Sequence, residues 1–108
     1  MGVTHVLNLL EALSLDNVYV SPGIFPDETS SQIKSPVVLA HIDVDVYESA
    51  RSCFEFLEPM LVKGGIIVFD DYVLASTDGV QKYVDELRSN QEMLMIYNQN
   101  GHAIFVKQ

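Results

Sequence analysis

Three aspartates stand where two apolar stretches of the sequence end, and their placement suggests that they do chemistry together. Asp43 follows the run 37–42, and Asp70 and Asp71 follow the run 66–69. Runs of this kind are typical of strands buried on both faces inside a parallel sheet. Parallel strands end at one sheet edge, where open α/β sheets bind ligands, so we expect the three carboxylates to be neighbours. The simpler alternative is that acids after a strand only form turns and cap helices.

Three neighbouring carboxylates form an oxygen-only ligand set, which suits magnesium, calcium or manganese rather than zinc or copper. Without a cation they would repel one another, and one of them would tend to hold a proton. The sequence therefore predicts a site for a divalent cation at this edge, with coordination positions left for water or substrate oxygens.

The other residues with reactive side chains are expected to have structural rather than catalytic roles. Asp45 is expected to cap the next helix or to contact the ligands from outside rather than bind the ion itself. His41 is expected to be a hydrogen-bonded core residue rather than a catalytic base. Cys53 is expected to pack in the core. His5 and His102 lie far from the aspartates along the sequence and indicate no role.

Composition narrows the class of protein. A chain of 108 residues, 48% of them hydrophobic, is expected to form one domain with a real core. Its formal net charge of -9 disfavours nucleic acid and anionic membranes as partners. A single cysteine excludes an intrachain disulfide and agrees with a reducing, cytoplasmic location. The apolar opening stretch is too short to span a bilayer, so we expect a soluble protein.

The spacing of apolar residues predicts alternating helices and strands, and hence an α/β fold with an antiparallel tail. A strand, a helix and a second strand in succession form a βαβ unit, in which the two strands are parallel. The first predicted elements are a helix over 4–14 capped by Thr4, a short strand over 17–20 and a polar turn over 25–34. Strands over 37–43 and 66–70 follow, joined by a helix that ends at Gly64. The last elements are a helix capped by Thr77 or Asp78 and a hairpin of 93–97 and 103–106 around Asn100-Gly101.

The amino-acid sequences of these segments resemble those of the macrocin O-methyltransferase family. The likeness covers nearly the whole chain, and the paired Asp-x-Asp-x-Tyr-x-Ser and Asp-Asp-Tyr motifs are fairly specific at this separation. The segments that carry it are Gly23-Ile24-Phe25-Pro26-Asp27-Glu28-Thr29, Ile42-Asp43-Val44-Asp45-Val46-Tyr47-Glu48-Ser49, Pro59-Met60-Leu61, Lys63-Gly64-Gly65, Phe69-Asp70-Asp71-Tyr72 and Gly79-Val80-Gln81-Lys82-Tyr83-Val84-Asp85.

The resemblance implies a Rossmann-like methyltransferase that uses S-adenosylmethionine and a divalent ion, usually magnesium. The ion would hold two oxygens of a sugar diol or a similar hydroxylated small molecule. If the roles of the matching family residues apply here, Asp43, Asp70 and Asp71 are the metal ligands, and Asp43 is also the general base. Tyr47 and Tyr72 would line the substrate cleft, although packing is the commoner role for a tyrosine near a strand end.

The family pattern also contains a part that this sequence does not show. No Gly-x-Gly turn follows any predicted strand, so the segment that binds S-adenosylmethionine in the family is not recognisable. We therefore expect a partial Rossmann-like fold that resembles the C-terminal part of such an enzyme, with weak or absent binding of S-adenosylmethionine. Strand 37–43 then has a free edge, which would pair with 17–20 or with another copy of the chain.

Two rival interpretations remain open on sequence grounds. One is a non-catalytic interaction domain that keeps the fold without the chemistry. The other is a receiver-like phosphoacceptor domain, because such domains also gather acids around magnesium. The receiver-like alternative ranks last, since its acidic pair normally follows the first strand and a lysine closes its site, whereas here the pair follows the single Asp43.

Overall fold

A computed structural model describes residues 2–34, 36–70, 78–96 and 101–108, without the side chain of Asp78. Contacts between residues group the chain into two compact units, Met1–Ile33 and Lys34–Gln108. Each unit is described by itself. The expectation of one domain over the whole chain stays a prediction.

The first unit contains one α-helix, α1, over Val3–Ala12, and a short 3-10 helix over Ser30–Gln32. The prediction of a helix over 4–14 is confirmed within two residues. Its predicted cap is wrong, because Gly2 is the N-cap residue and Thr4 lies inside the helix. The predicted strand over 17–20 is also wrong: those residues belong to no strand, and no ladder in the described part of the chain includes them.

The second unit is a four-stranded sheet with two α-helices, as the α/β prediction requires. Its strand order is β1-β2-β4-β3. The elements in chain order are β1 (Val37–Ile42), α2 (Tyr47–Leu57), a 3-10 helix (Glu58–Met60), β2 (Leu61–Phe69), α3 (Asp78–Leu87), β3 (Met93–Ile96) and β4 (Ala103–Lys107).

The strand pairing confirms both the βαβ unit and the C-terminal hairpin. β1 and β2 are parallel, and β3 and β4 are antiparallel. β4 also pairs with β2, in antiparallel orientation, so the hairpin extends the sheet on the side opposite β1. Gly101 has a φ of +81°, the positive-φ conformation expected there, whereas Asn100 lies outside the described residues.

One face of the sheet forms the core with α2 and α3. Phe69 stacks on Phe54 of α2, with ring centroids 6.4 Å apart, and meets Tyr83 of α3 and Phe105 of β4 edge-on. Cys53 is also buried, which confirms its predicted packing role. The buried apolar side chains of this core are Ile42, Ala50, Cys53, Phe54, Leu57, Leu61, Ile67, Phe69, Val80, Tyr83, Val84, Leu87, Met93, Ala103 and Phe105.

The opposite face of the sheet is only partly covered, so the prediction of strands buried on both faces is wrong. In β2, Ile67 and Phe69 are buried whereas Ile66 and Val68 are half-buried. β1 is more open still, because it is an edge strand with Leu39 61% exposed. A continuous apolar run therefore did not distinguish a strand covered on one face from a strand covered on both.

The long helix predicted to end at Gly64 ends earlier. α2 stops at Leu57, and the 3-10 helix that follows contains Pro59, whose missing N–H cannot continue α-helical hydrogen bonding. Gly64 lies inside β2 with a φ of +80°, next to a register shift in the β1–β2 ladder. It therefore allows an irregularity in the strand, and its predicted role as a helix cap is wrong.

Candidate functional site

The carboxyl ends of β1 and β2 lie side by side at one edge of the sheet. Ile42 pairs with Phe69 in the parallel ladder, and the backbone N–H of Asp70 donates to the carbonyl of Ile42 over 2.9 Å. Asp43 and Asp70 therefore follow immediately after paired positions. This is the juxtaposition that the sequence predicted for these two aspartates, and it depends on the parallel register rather than on either segment alone.

The third expected ligand cannot be placed. Asp71 and Tyr72 lie outside the described residues, which stop at Asp70 and resume at Asp78. Among the residues that the structure does describe, no group of three or more histidine, cysteine or acidic side chains is arranged to hold a metal ion. The predicted ligand set of Asp43, Asp70 and Asp71 thus stays a prediction.

The two described carboxylates do fit the chemistry of a hard cation. Asp43 is exposed, and the Asp70 side chain keeps 21% of its surface accessible. Both follow strand ends, so the site is reachable from solvent, and both offer the oxygen donors that magnesium prefers. Asp45 is also exposed and does not cap α2, whose N-cap residue is Val46 and which has no capping side chain.

Two histidines flank Asp70 on the same side of the sheet. The Nε2 atom of His102 is 2.7 Å from Oδ1 of Asp70, and the Nε2 atom of His41 is 3.6 Å from the same oxygen. The two imidazole rings have centroids 6.4 Å apart. The prediction that His41 is a core residue is wrong, because its side chain is 55% exposed on the open face of an edge strand.

His102 is the site residue that sequence reasoning missed. It lies 32 positions from Asp70 in the sequence, and only the pairing of β4 with β2 brings the two together. The hairpin signal around Gly101 located the start of β4 correctly. The hairpin pattern predicts that β4 pairs with β3, but it does not indicate that β4 also pairs with β2.

Tyr47 lies at the start of α2 and connects this helix to α3. Its hydroxyl is 2.6 Å from Oε2 of Glu86, its ring meets Tyr83 edge-on at 5.5 Å, and the Lys82 ammonium lies 5.5 Å from its ring centroid. The hydrogen bond to Glu86 raises the pKa of the Tyr47 phenol. These contacts give Tyr47 a packing role; its expected contact with substrate stays a prediction.

The segment 23–29 lines a cavity of its own in the first unit. The cavity measures about 390 Å³ and is bordered by Tyr19, Ser21, Gly23, Phe25, Thr29, Gln32 and Ile33. Gly23 has a φ of +135°, and a Cβ atom there would lie 3.0 Å from Cγ2 of the buried Thr29. A glycine at position 23 is thus required both by backbone conformation and by its close contact with Thr29.

Comparison with solved structures identifies the fold. The O-methyltransferase NovP superposes on the whole chain with a TM-score of 0.81 at 21% identity, over 46% of its own length. CalS11, a TDP-rhamnose 3'-O-methyltransferase of calicheamicin biosynthesis, matches 66% of the chain with a TM-score of 0.55 at 22% identity, over 31% of its length. The chain therefore has part of the Rossmann-like methyltransferase fold, as predicted.

Sequence comparison gives the family. A curated relative from Streptomyces olivaceus, 8-demethyl-8-(2,3-dimethoxy-alpha-L-rhamnosyl)-tetracenomycin-C 4'-O-methyltransferase, is 35% identical over 69 residues, which are 63% of this chain and 26% of the relative. The chain thus spans about a quarter of that relative's length. The family model described as Macrocin-O-methyltransferase (TylF) matches residues 5–105. The chain therefore belongs to the macrocin O-methyltransferase family.

Proposed function

We propose that this chain is the metal-binding, substrate-side part of an O-methyltransferase that acts on a hydroxyl group of a sugar or a similar small molecule. The observation that carries the proposal is the adjacency of Asp43 and Asp70 at the paired ends of β1 and β2. Family membership supports the reaction type. The rhamnose-containing names of two relatives support a sugar-like acceptor.

Five residues have roles in this proposal, and two of them, Asp71 and Tyr72, lie outside the described residues. Asp43 and Asp70 hold a divalent ion, with Asp71 as a third ligand, and magnesium is the ion that best suits carboxylate oxygens and substrate hydroxyls. When bound, magnesium lowers the pKa of a coordinated hydroxyl, and S-adenosylmethionine provides the methyl group that is transferred. Asp43 accepts the proton that the acceptor hydroxyl loses as its oxygen bonds to the methyl carbon. Tyr47 and Tyr72 border the acceptor.

The binding of S-adenosylmethionine is proposed for the intact family fold rather than for this chain by itself. The chain covers 46% of NovP, and none of its described strands leads into a glycine-rich turn and a helix. We expect S-adenosylmethionine to bind the isolated chain weakly or not at all. Isothermal titration that gave a micromolar dissociation constant would contradict this expectation.

A magnesium titration followed by amide chemical shifts tests the proposed function. We expect saturable shifts near millimolar magnesium, concentrated at the amides of residues 41–44 and 69–70. Glu48 and Glu55 of α2 supply an internal reference, because their carboxylates are exposed and already contact Arg51. Shifts spread evenly over such acidic surface positions, or no shifts up to about 20 mM, where a site with a millimolar dissociation constant would be nearly full, would overturn the proposal.

A second candidate function, a non-catalytic interaction domain, is favoured by the exposed outer edge of β1. Val38 and Leu39 are 66% and 61% exposed, and among the described residues β1 pairs with a strand on one side only. Such an edge invites pairing with another strand, and we propose a second copy of the chain as that partner. A dimeric mass in solution with slow amide exchange along Val37–Ile42 would support pairing; a strictly monomeric mass with fast exchange would contradict it.

A further inference from the structure

His102 lies directly before β4 and beside the carboxylate that follows β2. Phe69 of β2 pairs with Ala103 of β4 in antiparallel register, so Asp70 and His102 are the next positions outward on the same ladder. The distance of 2.7 Å between Nε2 of His102 and Oδ1 of Asp70 is a hydrogen-bond distance. At 3.6 Å, His41 is too far from that oxygen to make a comparable bond.

The contact between His102 and Asp70 lies next to a glycine and is partly shielded from solvent. Gly101, which immediately precedes His102, adopts a φ of +81°, a backbone conformation that favours glycine. The His102 and Asp70 side chains are 39% and 21% exposed. The contact is therefore partly shielded from water, where a hydrogen bond to a carboxylate is stronger than on a fully exposed surface.

The hydrogen bond has a consequence for any ion that Asp70 binds. A carboxylate that accepts an N–H on Oδ1 loses rotational freedom and keeps Oδ2 available for a cation. Hydrogen-bonding groups that orient metal-ligating carboxylates in this way typically contribute about 10- to 100-fold to metal affinity. The N–H on Nε2 is present both in the imidazolium and in one neutral tautomer of histidine, so this role does not require a particular charge on His102.

We propose that His102 is a positioning residue, which donates its Nε2–H to Oδ1 of Asp70 and so orients that carboxylate for cation binding. This inference rests on the proposed function, because it takes Asp70 as a ligand. It adds a residue from the C-terminal hairpin to a site otherwise composed of residues that follow β1 and β2. His102 thereby couples the hairpin to the ends of the parallel strands.

The test measures magnesium affinity in the full chain and in three variants. We expect His102→Ala to raise the dissociation constant about tenfold or more, because the Asp70 carboxylate becomes free to rotate. His102→Gln should recover at least half of that loss on a logarithmic scale, since its amide N–H can reach the same oxygen. His41→Ala is the matched control: it removes a histidine from beside the same carboxylate without removing a hydrogen bond, and should change the constant less than threefold.

Thermal unfolding without magnesium separates positioning from a general structural role. A structural role lowers the midpoint of His102→Ala while leaving the affinity of the folded protein unchanged, and that result would overturn the inference. Direct ligation of the ion by His102 would also overturn it, and would appear as failure of His102→Gln to recover any affinity. Absence of magnesium binding by the wild-type chain would instead overturn the proposed function, and this inference with it.

Discussion

The backbone N–H of Asp70 donates to the carbonyl oxygen of Ile42 over 2.9 Å, one step beyond the last paired residues of β1 and β2. This bond continues the parallel ladder to the point where both strands end. It places the Asp70 backbone beside the residue that precedes Asp43. The adjacency of the two aspartates therefore depends on strand register. Substitutions in the second unit that preserve this register and leave Asp43, Asp70 and His102 in place should alter stability without altering the chemistry of these carboxylates.

Gly79, at the start of α3, lies close to the backbone at the start of α2. A Cβ atom at this position would lie 2.7 Å from the backbone nitrogen of Tyr47, which cannot move as a flexible side chain can. We expect Gly79→Ala to lower the free energy of unfolding by about 1–3 kcal/mol, measured by urea denaturation. Gly2→Ala is the control for an added methyl group without a clash, because a Cβ atom at this exposed position would meet nothing within 4 Å. Its expected loss of about 0.5 kcal/mol comes from the weaker N-cap of α1 rather than from packing.

Lys107 joins the end of β4 to the 3-10 helix before β2. Its ammonium donates to the carbonyl oxygens of Glu58 and Leu61 over 2.8 and 3.0 Å, and lies 3.8 Å from the Glu58 carboxylate. We expect Lys107→Met to lower the free energy of unfolding by about 1–3 kcal/mol, because two part-buried carbonyls lose their donor. The exposed Lys63 of β2 supplies the control, and an equal loss in Lys63→Met would contradict this explanation.

Tyr83 is buried between α2 and the sheet, and burial raises its pKa to about 12. An unfolded chain releases the phenolic proton near pH 10, so between pH 10 and 12 the unfolded state binds fewer protons than the folded state. The contribution of Tyr83 to stability is therefore complete below pH 10 and is lost as pH rises toward 12. Absorbance titration should show a tyrosine that ionises near pH 12, and Tyr83→Phe should remove that late phase. A late phase that persists in the variant would contradict the assignment.

Sequence patterns correctly predicted the order and type of most helices and strands in the second unit. The apolar runs before Asp43 and Asp70 and the helical spacing around Phe54 predicted the βαβ unit, because local periodicity determines which segments form strands and helices. The spacing of 93–97 and 103–106 around Asn100-Gly101 predicted the hairpin, and Gly101 has the positive φ that such turns need.

The features that sequence patterns did not predict depend on contacts between distant segments. His41 was assigned to the core because its strand is apolar, but its exposure depends on which strands lie beside β1 and what covers each face. His102 became a site residue only through the pairing of β4 with β2. Residues 17–20 have the composition of a strand without a partner to pair with in the described structure.

Within the described residues, no helix is both long and apolar enough to cross a membrane. The cytoplasmic location expected from composition stays a prediction. The amphipathic pattern of α1 correctly predicted a helix, yet none of its residues is buried. Periodicity thus identified the helix but gave no information about what covers its apolar face.

Paramagnetic broadening by manganese tests the central claim, that Asp43 and Asp70 hold one divalent ion, most directly. Substoichiometric Mn²⁺ should broaden the amide signals of residues 41–44 and 69–70 together, and either Asp43→Asn or Asp70→Asn should abolish the broadening at both strand ends. Asp85→Asn, which alters a carboxylate of α3 that lies 4.0 Å from Arg88, is the control and should leave the pattern unchanged. Broadening that stays at one strand end when the other aspartate is replaced would contradict a shared ion.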